Sequence, residues 1–368
     1  MKRIIAQIRK ELTQTYRDRL TLALALVLPL ILLVLFGTTI SFSVKGLPVA
    51  VQDLDRTPLS RKYIDALNAS ITFRIVSSVI QSQPEEALKS EEARAVVIIP
   101  EKFERDILRG GDAEIQWMID ATDANTANVM RGNAVALTQA FMAQNGMAPS
   151  KPAIKAEVRM WYNPGRESQK YIGPGVLAVV LALFPPLLAA LATSREGEQK
   201  TILQVYVSSI SAIEYLLGKI LAFFLIAVAE FLLSLVVAMT YFKLSFAGDP
   251  TPLLVGTMLY LFCNVTFGTM VGAAIPNQAV AIQPVAVVGF LFSFLLSGFM
   301  FPISNIPSWL SWISGIVPAR YFIEITRDAF VRGGGWGAVW HAPLMLALLS
   351  AVYFLIAWRN MRYMQVQV

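Results

Sequence analysis

The sequence predicts an α-helical polytopic membrane protein with six transmembrane helices and one extracytoplasmic α/β domain. Three observations carry that expectation. Of 368 residues, 55% are hydrophobic and only 15% charged, against about a quarter charged in a soluble globular chain. The charges crowd into residues 45 to 170, whereas Pro250 to Ala319 holds no Asp, Glu, Lys or Arg. About 20 apolar residues span a bilayer as a helix, so that gap alone can hold two spans. The third observation is where the net charge of +6 sits. Lys2, Arg3, Arg9, Lys10, Arg17 and Arg19 precede the first apolar run, and Arg359 and Arg362 follow the last. That is the positive-inside pattern, and it argues against nucleic acid as a partner.

Residues 1–19 form the first element. Ile4, Ile8, Leu12, Tyr16 and Leu20 recur at steps of four, with basic residues on the other face. This is the pattern of an amphipathic helix lying on membrane lipid; a plain basic flank orienting the first span is the other reading. Residues 20–44 follow as the first span. The run Leu20 to Val44 is too long for the core of a cleaved signal peptide, and no small-residue cleavage site follows it cleanly.

Residues 45–170 read differently. Leu47 to Leu54, Ile71 to Ser77, Arg94 to Pro100, Glu114 to Ile119 and Ile154 to Tyr162 have the Val- and Ile-rich character of short strands. Helical stretches are expected between them near Leu59 to Asn68, Pro84 to Ser90, Glu101 to Arg109 and Asn125 to Asn145. Such alternation predicts an α/β domain large enough to own a core.

Residues 171–358 hold five more spans. They are expected at Tyr171 to Thr193, Gly218 to Phe242, Leu253 to Ala274, Pro284 to Phe301 and Gly337 to Trp358. A polar segment from Ser194 to Thr201 leads into a helix from Ile202 to Leu217. Residues 302–336 carry Pro302, Pro307, Trp309, Trp312 and Pro318, with Arg320, Glu324, Arg327 and Asp328 behind them, a composition suited to short helices at the membrane boundary. Residues 359–368 form a tail. Six spans place both termini on one side. Eleven Lys and Arg fall on the N-terminus, the 194–219 segment and the C-terminus, against four on the short loops of the opposite side. The termini are therefore expected in the cytoplasm and the α/β domain outside.

The chemistry that is missing narrows the function. One histidine, His341, and one cysteine, Cys263, leave no metal site built from Cys and His clusters and no internal disulfide. There is no H-E-x-x-H, no G-x-S-x-G and no G-x-x-x-x-G-K-[ST] phosphate loop. Gly218-Lys219 lacks both the upstream glycine and the following hydroxyl. No bound cofactor is expected, and the chain does not read as an enzyme. Glu230 is the one ionisable group deep in a span, which makes it a candidate by position, the other reading being a hydrogen-bonded helix contact. The charged turn at Arg195, followed by Ile202, Leu203, Val205, Tyr206, Ile210 and Ile213, suits a helix that docks in a groove of a soluble partner, or an ordinary amphipathic surface helix.

The order of these parts resembles the permease subunits of type-2 ABC exporters that carry a large outer domain between the first two spans. The resemblance covers nearly the whole chain. It rests on Arg195-Glu196-x-Glu198-x-x-Thr201, on Gly218-Lys219 opening the third span, and on Ser297-Gly298-Phe299-Met300-Phe301-Pro302. Ile306-Pro307-x-Trp309-Leu310 and Pro318-Ala319-Arg320-Tyr321-Phe322 follow. Asp120, Asn125-Thr126-Ala127-Asn128 and Trp161-Tyr162-Asn163-Pro164 add to it in the outer domain.

Such a resemblance implies a coupling helix over 195–217 that meets an ATP-binding subunit, with Arg195, Glu196, Glu198, Thr201, Gly218 and Lys219 as coupling residues. It implies an elbow helix at the N-terminus and a re-entrant outer segment at 302–336. Glu230, Gly298, Phe299, Phe301, Pro302, Pro318, Arg320 and Tyr321 become candidates for the pathway and outer gate. The implied partners are a dimer of ABC ATP-binding subunits holding ATP and Mg, a second permease chain, identical or paralogous, and a periplasmic adaptor. The implied place is the bacterial inner membrane, and the implied cargo a hydrophobic or amphipathic compound moved outward. Two positions depart from the family pattern. Lys200 stands where glycine is usual, and Leu203 where an acidic residue is; they fit one half of a heteromeric pair. An ion-coupled secondary transporter would need more membrane carboxylates than Glu230 supplies, and a non-transporting sensor or scaffold would rely on the outer domain.

Overall fold

The computed structural model of the protein describes residues 1–39, 46–77, 84–90, 92–111, 113–120, 124–147, 168–207 and 210–362. Two compact units result: Phe42–Arg159 forms one, and Met1–Ser41 joins Met160–Val368 to form the other. The expected strand Ile154 to Tyr162, the Trp161 to Pro164 motif and the end of the first span past residue 39 lie outside the described residues.

The chain begins with α1 (Lys2–Arg17), breaks at Asp18 and resumes as α2 (Arg19–Thr39). The face that α1 turns toward the rest of the unit is polar. Gln7, Glu11 and Thr15 are buried, while Tyr16 is 76% exposed. Those three polar residues also recur at steps of four; Gln7 donates to Glu11 at 2.9 Å, and Glu11 pairs with Lys219 of the third span at 3.1 Å.

The second unit follows the expected alternation closely. It runs β1 (Leu47–Asp53), α3 (Pro58–Asn68), β2 (Phe73–Ser77), α4 (Pro84–Lys89), β3 (Ala95–Ile99), α5 (Phe103–Leu108), β4 (Gln116–Ile119) and α6 (Ala124–Gln144). The sheet order is β2-β1-β3-β4, with β1 parallel to both neighbours and β4 antiparallel to β3. Alternate residues of β1 and β3 serve two cores. Val49, Val51, Ala95, Val97 and Ile99 pack with Leu59, Tyr63, Leu67, Phe103 and Met130, while Ala50 and Val96 pack with Ala87 and Ala93. Strands covered on both faces explain the near-continuous Val and Ile runs.

The helical unit continues with α7 (Ser168–Glu198), α8 (Ile202–Val207), α9 (Ala212–Thr240) and α10 (Thr251–Ala274). Then come α11 (Gln278–Val285), a π-helical stretch (Ala286–Phe292) and α12 (Ser293–Leu296) in one rod. A 3-10 turn (Ile303–Asn305), α13 (Ser308–Ile316), α14 (Pro318–Arg327), a second π stretch (Asp328–Arg332), α15 (Trp336–Val339) and α16 (His341–Met361) complete it. Among the described residues, six helices are long and apolar enough to cross a membrane: Thr21–Thr39, Gln169–Glu198, Ala212–Thr240, Thr251–Ala274, Gln278–Leu296 and His341–Met361.

Several boundaries move. The expected helix from Ile202 to Leu217 is interrupted, because Ser211 and Glu214 form a reciprocal cap that starts α9 at Ala212. Gly218 and Lys219 therefore lie inside the third span rather than opening it. The polar segment after Thr193 stays helical to Glu198, so α7 is longer than expected. The fifth span starts at Gln278, capped by the Asn277 side chain on the Val280 N–H at 3.1 Å, and keeps Pro284 inside it. It ends at Leu296, before the left-handed Gly298 at φ +86°.

Helix α7 is the axis of this unit and touches α2, α9, α10, α11 and α14. Gly268 and Gly272 of α10 lie against the backbone carbonyls of Pro186 and Ala190, so close that a Cβ at either would overlap them. This is a G-x-x-x-G stripe letting two helices approach. Tyr260 donates to the Ala178 carbonyl at 2.8 Å across the same contact.

Candidate functional site

Two side-chain clusters stand at the two ends of α7. At its C-terminal end, α1 crosses α9 at Gly218, where a Cβ would come within 2.6 Å of Gln7. That approach seats Lys219 in a ring of acceptors. Its Nζ lies 3.1 Å from Glu11 Oε1, 3.3 Å from Glu196 Oε2 and 3.2 Å from the Ala192 carbonyl. Lys10 reaches Glu11 at 3.2 Å and also pairs with Glu196, while the Tyr215 hydroxyl donates to Glu196. Lys219 is wholly buried, and Glu11 and Glu196 nearly so. Two cations and two carboxylates thus balance, which is what keeps buried charge tolerable. Burial works against the charged form of Lys10, but Glu11 and Glu196 outweigh it and raise its pKa.

The rest of this cluster faces outward. Arg195 lies 3.6 Å from Asp18. Asp18 caps α2 by accepting from the Thr21 hydroxyl at 2.7 Å and its N–H at 3.1 Å. Those two bonds, with Arg195 adding to them, hold the Asp18 carboxyl below the usual range. Glu198 accepts from the Gln278 amide at 2.8 Å. Thr201 donates to the Glu196 carbonyl at 3.4 Å. Lys200, the position where glycine is usual in the family it resembles, sits at φ +56°. A left-handed residue ends α7 there, which accounts physically for a glycine preference. The segment Glu198 to Thr201 is exposed.

At the N-terminal end of α7, the turn after α12 is held from two sides. Arg327 donates from Nη1 to the Gly298 carbonyl at 3.0 Å and from Nη2 to the Phe299 carbonyl at 3.4 Å. Its guanidinium lies 4.2 Å from the Tyr171 ring centroid, and the Tyr171 hydroxyl also donates to the Phe299 carbonyl at 3.3 Å. Phe299 is buried over Gly175 of α7. Ser314 donates to the Leu296 carbonyl at 2.7 Å and accepts from Arg320 at 3.1 Å. Tyr321 donates to the Gly315 carbonyl at 2.8 Å. Pro318 is buried at the start of α14, whose Phe322 stacks on Tyr260 at 4.1 Å.

Gly298, Phe299, Pro318, Arg320 and Tyr321 thus surround one turn. Phe301 is 53% exposed and Pro302 is exposed too, so neither joins the packed set. Glu230 belongs to neither cluster. It is fully buried in α9, and neither carboxylate oxygen has a hydrogen-bond partner among the described residues. Sequence reasoning missed Glu11 and Lys10 as partners of Lys219, and Tyr171 and Arg327 as holders of the turn. The signal for Arg327 was its place among the charged residues that follow a Pro- and Trp-rich stretch after a long charge-free run. For Glu11 there was one too: it is the only acid among the basic residues of α1.

Helix α7 joins the two clusters. Its 31 residues span about 46 Å at about 1.5 Å each. Pro174, Pro185 and Pro186 lie inside it, which a packed neighbourhood tolerates. Thr326 donates to the Pro174 carbonyl at 3.3 Å.

Residues 19–359 match the family described as ABC-2 family transporter protein. The chain is 28% identical over 364 residues to the Escherichia coli K12 protein named probable multidrug ABC transporter permease YbhS, covering 97% of this chain and 93% of that one. It is 24% identical over 353 residues to the probable multidrug ABC transporter permease YbhR of the same organism, with 95% of each covered. The linearmycin resistance permease protein LnrN of Bacillus subtilis is 22% identical over 362 residues, covering 90% of this chain and 92% of that one.

Proposed function

This chain belongs to the ABC-2 transporter family, and on that premise we propose that it is the permease subunit of an ATP-driven exporter that moves a hydrophobic or amphipathic compound outward. A separate ABC ATP-binding subunit, as a dimer holding ATP and Mg, supplies the energy. The observation that supports this reading best is α7 itself, one continuous helix with a charged turn at one end and a clamped turn at the other.

In this reading the termini face the cytoplasm and the sheet-bearing unit lies outside. The ATP-binding subunit meets the exposed surface from Glu198 to Thr201, together with Arg195. Glu196, Gly218 and Lys219 act behind that surface, fixing α1 and α9 to the end of α7 so that a push on the turn moves all three. At the far end, Arg327 and Tyr171 hold the Gly298 and Phe299 carbonyls and keep the outer gate shut between turnovers. Phe301, Pro302, Pro318, Arg320 and Tyr321 complete the gate, Glu230 lies along the pathway wall, and two permease chains, identical or paralogous, enclose the path. The outer unit docks an adaptor where one exists. The relatives named as probable multidrug ABC transporter permeases support a drug-like cargo.

The test is accumulation of a fluorescent lipophilic dye in inside-out vesicles holding this chain and a Walker-motif ATPase. The expected result is uptake that needs both ATP and the ATPase. Equal uptake driven by an imposed ion gradient without the ATPase would overturn the reading in favour of secondary transport.

A further inference from the structure

A cavity of about 70 Å³ opens beside the charged turn, where α1 passes into α2 against α7. A single water needs only about 10–15 Å³ by this measure, so the space admits a small polar headgroup. It is lined by the polar Gln14, Asp18 and Arg195, by Glu11, which is paired with Lys219, and by the apolar Leu188, Leu191 and Phe223. The Asp18 and Arg195 side chains are 30% and 37% exposed while Leu188 and Phe223 are buried, so the charged side forms a wet mouth and the apolar side a dry rear wall. Their charges stand 3.6 Å apart, longer than the roughly 2.7–2.9 Å of a strong charge-assisted bond. A guanidinium offers five donors, and Asp18 is the ion-pair partner that Arg195 has among the described residues. The cavity also lies level with the start of a membrane span, Thr21 being both in its wall and the first residue of that span.

We propose that this cavity binds the headgroup of a phospholipid carrying a phosphodiester and a primary ammonium, drawn from the leaflet on the α1 side of the membrane. The phosphate accepts from Arg195, and the ammonium donates to Asp18 and Gln14. The proximal acyl chain lies over Leu188, Leu191 and Phe223. The side-by-side placement of both charges selects a zwitterion. An anionic headgroup meets Asp18 without a cation to offer, and a trimethylammonium has no N–H to donate. The same phosphoamine chemistry occurs in free phosphoethanolamine, which the test separates from lipid.

The full chain is purified, exchanged into nanodiscs with equal parts phosphatidylethanolamine, phosphatidylcholine and phosphatidylglycerol, and its retained lipid weighed by native mass spectrometry. Retention of phosphatidylethanolamine about tenfold above the other two is expected, the effect of one hydrogen bond to a charged group. Asp18→Asn keeps the cap on α2 and should bring the ratio to phosphatidylcholine down to about one. Arg195→Gln should lower retention of all three. Leu191→Trp fills the rear wall without touching a charge and should empty the site, which keeps the test sound if Arg195→Gln does not fold. Equal retention of the three lipids, or an unchanged preference in Asp18→Asn, would overturn the proposal. Displacement of the lipid by excess free phosphoethanolamine would also overturn it, assigning the cavity to a soluble compound; persistence of the lipid supports it. Lipid retention needs neither ATPase nor transport, so its outcome and that of the export assay are independent.

Discussion

Lys219 and Glu196 lie 3.3 Å apart in the interior of the helical unit, with Glu11 at 3.1 Å from the same ammonium. Removing one member of a buried pair strands the other, a loss of about 3–5 kcal/mol. Lys219→Met should therefore lower the thermal unfolding temperature sharply in nanodiscs. Combining it with Glu196→Gln should recover part of that loss. A double variant no more stable than the single one would show that the pair is not coupled.

Lys200 occupies a left-handed backbone position at φ +56°. A side chain there carries a penalty of about 1–2 kcal/mol that glycine avoids. Lys200→Gly should raise the unfolding temperature, and with the proposed ATPase present it should tighten co-purification. A fall in stability would mean that the Lys200 side chain contributes more than its conformation loses.

Arg327 should be replaceable by lysine in charge but not in geometry. A lysine cannot give two parallel donors to Gly298 and Phe299 while lying flat over Tyr171. Hydrogen exchange over residues 297–302 should accelerate in Arg327→Lys and stay unchanged over 168–180. Equal protection in both proteins would remove the clamp from the account.

Gly268 should tolerate no side chain. A methyl there overlaps the Pro186 carbonyl oxygen, which is backbone and cannot rotate aside. Gly268→Ala should cost about 1–3 kcal/mol or more, read as a lower unfolding temperature. Gly337, with open space around it, serves as the control and should accept alanine quietly.

The second unit carries its own pH signature. Burial would raise the Asp55 carboxyl, but bonds from the Thr57 hydroxyl and from the N–H groups of Glu104, Lys102 and Phe103 outweigh it and lower its pKa. The folded state therefore favours the ionised form. That stabilisation is fully present above the unfolded value of about 3.9 and is lost as pH falls through the depressed folded value. Proteolysis of residues 50–110 should accelerate in that acidic window, and Asp55→Asn should flatten the response. A wild-type profile flat across the window would contradict it.

The sequence was most legible where burial is one-sided or total. Strands β1 to β4 and their helices stand within a few residues of their expected places, because Val and Ile runs and a capped α3 are local signals. Span existence was equally plain, since apolar length alone decides it. Span ends were not. The start of α9 depended on Ser211 and Glu214 capping each other, a signal present in the sequence but overshadowed by the charged turn before it. The inward face of α1 was invisible for a different reason. Periodicity favours its isoleucines, whereas its packing is decided by Lys219, which lies far along the chain. The same holds for the turn at Gly298, whose holders Tyr171 and Arg327 come from two other helices.

The distance along the chain between Lys10 and Glu196, 186 residues, fixes an order of assembly. Glu196 and Lys219 both follow the second unit in the chain, so the inward face of α1 gains these long-range partners only once α7 and the start of α9 exist. Until then Glu11 can pair within its own helix, with Gln7 and Lys10. The docking of α1 thus reports that the third span has been made.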